Sequence, residues 1–186
     1  MRIIGGSRRG LKLADVGEGD VAAHLRPTSD RVREAIFNLL INAHGNPVAG
    51  ARVLDLFAGT GALGLEALSR GAVSATLVDD GAKALALIRA NIRKMRAEDE
   101  TQVIRQDARR LGSNSGASYG LVFLDPPYGK GLGEAALVAA LKGGWLASGA
   151  MVVWEEGSAP PVPEEFAMTD QRKYGDTIVT LLKAPA

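Results

Sequence analysis

The segment Val53-Leu54-Asp55-Leu56-Phe57-Ala58-Gly59-Thr60-Gly61-Ala62-Leu63-Gly64 constrains the fold more than any other stretch of this chain. A short apolar run closed by glycines and followed by a helical pattern from Ala62 to Arg70 reads as a buried strand, a tight turn and a helix. Glycine permits positive φ and lets a ligand approach the backbone closely. The helix start that follows offers unsatisfied N–H groups to an anion. Gly59, Gly61 and Gly64 also satisfy the G-x-G-x-x-G spacing of dinucleotide-binding turns, a match of low specificity by itself.

The rest of the chain continues the alternation. A helix capped by Thr28 or Ser29 runs to about Ala43, and the first strand spans Arg52 to Phe57. Strands are expected at Ala75–Val78, Thr101–Arg105, Tyr119–Leu124, Ala150–Trp154 and Thr177–Leu182, with helices at Ala82–Met95 and after Gly131 or Gly133. This order predicts an α/β fold with a doubly wound, mostly parallel sheet. A late hairpin, roughly Phe166 to Lys183, adds an antiparallel strand. Residues 1–14 read as a short hairpin turning near Gly5, Gly6 and Gly10, and Asp15–Ala23 as a loop. A chain of 186 residues with 46% hydrophobic content can bury one sizeable core. The expectation is one domain over residues 1–186, with an N-terminal extension (1–45) on a core (50–186).

The second informative element is Asp125-Pro126-Pro127-Tyr128, directly after the apolar run Leu121–Leu124. Each proline lacks a backbone N–H and biases its predecessor towards extended geometry. A strand therefore ends in a stiff lip of acceptors beside an aromatic ring. Such a lip suits a planar base with an exocyclic amine: the Asp125 carboxylate and the Pro126 carbonyl accept its two N–H bonds, and Tyr128 stacks on the ring. Asp55, just before the glycine loop, suits a ligand with an ammonium group and sits awkwardly beside a pyrophosphate. S-adenosylmethionine carries such an ammonium, plus a carboxylate for the loop amides. In open α/β sheets, ligands bind outside the carboxyl ends of the strands. There Asp79, about twenty residues past the loop, is placed to accept ribose hydroxyls, with Asp80 as the neighbouring choice.

These two elements in this order resemble the amino-methylating class of S-adenosylmethionine-dependent methyltransferases. Arg26-Pro27-Thr28, Arg31-Val32-Arg33-Glu34-Ala35-Ile36-Phe37-Asn38, and the opening Arg2-Ile3-Ile4-Gly5-Gly6 with Arg9-Gly10-Leu11-Lys12-Leu13 resemble the bacterial 16S ribosomal RNA guanine-N2 methyltransferases. The resemblance implies S-adenosylmethionine as cofactor, held by Asp55, Phe57, Gly59, Thr60, Gly61, Gly64, and Asp79 or Asp80. It implies that Asp107 accepts the adenine amine beside the Ala108 N–H, although Gln106 replaces a small residue common in related enzymes. Asp125, Pro126, Pro127 and Tyr128 become the catalytic set. The implied substrate is 16S RNA in a small ribosomal subunit or its assembly intermediate, with guanine-966 as the family's target; composition points to the cytoplasm, and a monomer is expected.

Composition narrows the classes further. The absence of cysteine excludes disulfides, thiolate catalysis and cysteine-bound zinc, and His24 and His44 are too isolated to hold a metal. No apolar run reaches the length of a membrane span. Net charge is only +1, but Arg2, Arg8, Arg9, Lys12, Arg26 and Arg31, with Arg33, concentrate cations in the N-terminal third. That group suits RNA phosphates; on charge alone it is equally a solvated hairpin. Trp145 and Trp154 read as core, and Ser113–Ser118 and Ala159–Glu165 as surface loops. Two other classes compete: a DNA adenine-N6 or cytosine-N4 methylase, against which the short chain leaves no separate target-recognition domain, and a dinucleotide module without methyl transfer, against which Asp55 and the Asp125 lip argue.

Overall fold

The computed structural model describes residues 1–15 and 29–186. Most of the expected loop after Asp15, together with His24, Arg26 and the Thr28 cap, lies outside the described residues. The alternative cap is in place: Ser29 accepts a hydrogen bond from the Val32 N–H at 3.2 Å and starts helix α1, Asp30–Ala43. Ile36, Phe37 and Leu40 form its buried stripe.

Strands β1 (Arg52–Leu56), β2 (Ser74–Asp79), β3 (Thr101–Arg105), β4 (Tyr119–Leu124), β5 (Leu146–Glu156), β6 (Ala167–Tyr174) and β7 (Thr177–Lys183) form one sheet in the order β3-β2-β1-β4-β5-β7-β6. The first five are parallel, and β7 runs antiparallel between β5 and β6. The order reverses between β1 and β4, and such a reversal leaves a crevice at the carboxyl ends of the two strands. Helices α2 (Ala62–Ser69) and α3 (Ala82–Met95) join α1 over one face, where Val53, Phe123 and Val153 meet Leu65, Ile88 and Phe37. Helix α4 (Leu132–Lys142) covers the other, packing Ala136, Leu137 and Ala140 with Leu54, Val122 and Trp154. The near-continuous apolar strands follow from burial on both faces.

Two expectations need correction. β5 extends beyond Trp154, because Glu155 and Glu156 pair with Val179 and Ile178 of β7, whereas the late hairpin forms as expected, with β7 the strand antiparallel to the first five. Arg33 does not belong to a surface patch. It is fully buried, paired with Asp30 at 2.8 Å and Glu66 at 3.6 Å, and donates to the Arg2 carbonyl.

Glu66 is equally buried and explains how the N-terminal hairpin docks. Its carboxylate accepts the Ile4 and Gly5 N–H groups at 2.8 Å each and the Arg70 Nε at 2.7 Å. The hairpin itself is a single antiparallel bridge, Arg2 to Lys12, with a 3₁₀ turn at Gly6–Arg8. Gly6 has φ +77°, and a Cβ there would lie 1.7 Å from the Ser69 carbonyl oxygen, so only glycine fits.

Candidate active site

The glycine loop leaves β1 through an unusual backbone. Phe57 is a non-glycine residue at φ +59°, followed by Gly59 at +59° and Gly61 at +79°, the residue that caps α2. A bulky residue in the left-handed region is held there by its surroundings at an energetic cost. This reverses the chain within a few residues and brings the start of α2 back over the strand ends.

The acids at the strand ends are held in different ways. Asp55 is almost completely buried, and its Oδ2 accepts the Gly64 N–H at 2.9 Å, satisfying one amide of the first turn of α2. Its Oδ1 is buried without a hydrogen-bond partner among the described residues. Burial, reinforced by the charge of Asp79 and opposed by the Gly64 hydrogen bond, pushes the Asp55 carboxyl up to about 7. Gly64 faces the interior: a Cβ there would stand 2.5 Å from Leu77 Cδ2 and 3.1 Å from Asp55 Oδ2. Both residues thus lie beneath the loop rather than on its open side.

Asp79 ends β2 and ties the loop down. Its Oδ2 accepts the Gly59 N–H and its Oδ1 the Gly81 N–H, each at 2.9 Å. A carboxylate has about four acceptor sites, so capacity remains for a diol. Burial raises the Asp79 carboxyl, with its two glycine amides working against the shift. Asp80 is exposed beside it. Asp107 accepts the Arg109 N–H at 2.9 Å and forms an ion pair with the Arg109 guanidinium at 2.6 Å, which holds its carboxyl below the usual range. Ala108 is buried next to it. Phe57, Val78, Asp79, Asp80, Gln106, Asp107 and Ala108 line one groove across the ends of β1, β2 and β3.

The lip adjoins this groove. Leu56 pairs with Leu124, so the residues that follow, Phe57 and Asp125, leave neighbouring strands side by side, and the Asp125 N–H reaches the Leu56 carbonyl at 3.4 Å. Asp125 is partly exposed, Pro126 is buried, and Pro127 and Tyr128 are half-buried. The Tyr128 hydroxyl donates to Glu155 Oε1 at 2.8 Å and lies 3.2 Å from Thr177 Oγ1, while Gly129 N–H donates to Glu156 Oε1 at 2.6 Å. Glu155, Glu156 and Thr177 have no role predicted from sequence, where β5 is expected to end at Trp154. A signal exists: Glu155-Glu156 closes an apolar strand as Asp55, Asp79, Asp107 and Asp125 close or follow theirs.

Of the described basic residues, Arg8 and Arg9 stand away from the groove. The Arg8 N–H bonds Ser69 Oγ at 2.9 Å, at the last residue of α2, and the Arg8 side chain pairs with Glu100 at 2.8 Å, just before β3 begins. The hairpin tip with Arg8 and exposed Arg9 therefore stands a helix length, about 12 Å, from the glycine loop. Arg2 pairs loosely with Asp30 at 3.6 Å; Lys12 and Arg31 are exposed.

The fold and this crevice define a class I methyltransferase, with glycine loop and acidic strand ends around one face of the switch point. Comparison with known proteins narrows the class. A family model described as conserved hypothetical protein 95 matches residues 1–183. The chain is 37% identical over 190 residues to ribosomal RNA small subunit methyltransferase D of Escherichia coli, covering 100% of this chain and 91% of the relative. It is 35% identical over 189 residues to the Bacillus subtilis protein YlbH, covering 98% of each. The solved structure of Escherichia coli yhhF superposes with a TM-score of 0.82 at 35% identity, covering 100% of this chain and 98% of that one. The chain belongs to the ribosomal RNA small subunit methyltransferase D family.

Proposed function

We propose that this chain transfers a methyl group from S-adenosylmethionine to the exocyclic N2 amine of a guanine in 16S ribosomal RNA, guanine-966 being the position that the family resemblance implies. One observation carries the reading: the glycine loop and the Asp125 lip leave adjacent strands, β1 and β4, at the sheet's switch point. A methyl donor over β1–β3 and an amine over β4 would then meet at the crevice between them. The named relative acts on small-subunit ribosomal RNA, which favours RNA over a DNA base; a non-methylating dinucleotide module leaves the lip unexplained.

The residues fit the cofactor. Asp79 retains acceptor capacity for ribose hydroxyls, and Asp55, beneath the loop, holds the first turn of α2 in place through the Gly64 N–H. Asp107 serves the adenine amine only by sharing its oxygens with Arg109. When bound, S-adenosylmethionine supplies an electrophilic methyl group. Everything else falls to the lip. The guanine N2 lone pair is delocalised into the ring, so the nitrogen is planar and poorly nucleophilic. Asp125 and the Pro126 carbonyl accept hydrogen bonds from its two N–H groups, favour a pyramidal nitrogen and free the lone pair. The methylated nitrogen is cationic and acidic, and Asp125 is placed to take its proton. The rate gain comes from positioning and from negative charge facing developing positive charge. A paired base cannot reach the lip, so the target guanine lies in a loop or flips out.

The test is incubation with labelled S-adenosylmethionine and naked 16S RNA, 30S subunits or duplex DNA, followed by digestion and nucleoside identification. Label in N2-methylguanosine from RNA is expected; label in N6-methyladenine or N4-methylcytosine of DNA would overturn the reading.

A further inference from the structure

Tyr128 is held from outside its own segment on three sides. Its hydroxyl donates to Glu155 at 2.8 Å and meets Thr177 at 3.2 Å, both buried residues, one near the end of β5 and the other at the start of β7. The next residue is held too, by the 2.6 Å bond from Gly129 N–H to Glu156. Against the ring lies Gly157, where a Cβ would come within 2.9 Å of Tyr128 Cδ2. A tyrosine whose only task is to stack needs no such tether, and a Pro-Pro turn is already stiff. Burying two consecutive carboxylates against one side chain and the adjoining amide is unfavourable in desolvation, and makes sense where the placement of the lip matters.

We infer that Glu155 is a positioning residue, which with Thr177 and Glu156 fixes the Tyr128 ring at the angle where the substrate base stacks, so that the C-terminal strands set the geometry of methyl transfer. The inference rests on the lip reading of Asp125–Tyr128. The Tyr128 hydroxyl is consumed by the tether and does not read the base; the ring face does. Burial and the charge of Glu155 push that hydroxyl above the ordinary tyrosine range, so it stays a donor throughout the working pH range. A charge-assisted bond of this kind is among the stronger ones, and small misplacements at a reacting centre lower turnover disproportionately.

The experiment is a double-mutant cycle in the full chain with Tyr128→Phe and Glu155→Ala, together with Glu155→Gln and Gly157→Ala. For each variant, kcat and KM on 30S subunits or 16S RNA, S-adenosylhomocysteine affinity by calorimetry and Tm are measured. Tyr128→Phe and Glu155→Ala are each expected to lower kcat about tenfold, with the pair no worse than either alone, because both remove the same bond. Glu155→Gln keeps an acceptor and should stay within about threefold of wild type. Gly157→Ala leaves the tether intact but displaces the ring, and should raise KM for RNA. S-adenosylhomocysteine affinity should hold in all four. Additive losses in the double mutant, a Gln variant as impaired as Ala, or a wild-type kcat in Tyr128→Phe overturns the tether while leaving the function standing. A wild-type protein that methylates no RNA overturns both.

Discussion

On the β1–β3 side of the groove, Asp55, Asp79 and Asp107 are held by groups from their own neighbourhood: the Gly64 N–H, the Gly59 and Gly81 N–H groups, and Arg109. On the β4–β5 side, Tyr128 and Gly129 are held by Glu155, Glu156 and Thr177, 27 to 49 residues further along the chain. The first arrangement joins the β1–α2 turn to the end of β2 through contacts spanning no more than twenty residues. The second depends on the whole sheet closing, because β7 must enter between β5 and β6 before Thr177 can meet Tyr128. Under the proposed function, cofactor binding and substrate alignment should therefore be separable by mutation.

The sharpest way to break that separation is to compare Asp125→Ala with Asp79→Ala. Asp125→Ala should lower turnover by about 10²–10³-fold, as is typical for a group that stabilises developing charge, while S-adenosylhomocysteine affinity holds. Asp79→Ala should weaken S-adenosylhomocysteine strongly, because the loop is no longer anchored at the Gly59 N–H. Equal falls in affinity in the two variants, read by calorimetry, would show one cooperative site in place of two halves.

The second comparison is electrostatic. Burial lifts the Asp55 carboxyl to about 7, well above the roughly 3.9 of an unfolded aspartate. Between about pH 4 and pH 7 the folded protein therefore holds a proton that the unfolded chain has released. The stability linked to Asp55 is fully present below that window and is lost as pH rises through it. Asp79 is raised as well and acts in the same direction. Wild-type unfolding free energy should fall relative to Asp55→Asn by at most about 1.4 kcal/mol per pH unit from pH 5 to 7, then run level with it. Urea titrations at several pH values measure this. A constant difference across the range would mean that Asp55 stays ionised when buried.

Legibility in the sequence follows the same division. The strand–glycine–helix turn and the strand-closing Asp125-Pro126-Pro127-Tyr128 are legible because each is a local pattern: apolar run, glycine spacing, proline pair. Gly64 and Asp55 stand out in the sequence with outward roles, yet composition and spacing do not tell a ligand-facing glycine from one that faces Leu77. Arg33 reads as surface because a lone arginine on an amphipathic helix is usually solvated, and its partner Glu66 is thirty-three residues away. Glu155, Glu156 and Thr177 escape because their partner lies across the sheet.

Gly64 offers an intermediate test on the cofactor side. Gly64→Ala gains roughly 1 kcal/mol of helix propensity but forces a methyl group to 2.5 Å from Leu77 Cδ2, within the packing of α2 on β2. Overpacking of this kind costs about 1–3 kcal/mol, so net destabilisation is expected, seen as a lower Tm. S-adenosylhomocysteine affinity should fall with it, since α2 and the loop move together. The ratio of kcat to that of wild type at saturating cofactor should stay near one, because the lip is untouched. A lower kcat at saturation would couple the halves through α2.

The smallest expected effect lies farthest from the groove. Arg8 and Arg9 stand at the hairpin tip, beyond the far end of α2. If the tip touches phosphates, Arg8→Ala/Arg9→Ala should flatten the salt dependence of RNA binding by at most about 0.7–0.9 for each phosphate no longer neutralised. Arg8 already pairs with Glu100 at 2.8 Å, so its approach to a phosphate competes with an existing partner and the larger share falls to Arg9. Removing that partly exposed ion pair should change stability by about 1 kcal/mol at most. The variant should keep kcat on saturating 30S subunits and raise only KM, because docking a helix length from the glycine loop adds binding without aligning the amine. An unchanged salt slope and KM would move the phosphate-binding residues off the hairpin tip. A fall in kcat would mean that the hairpin, tied through Glu66 to α2, reaches the groove through the fold.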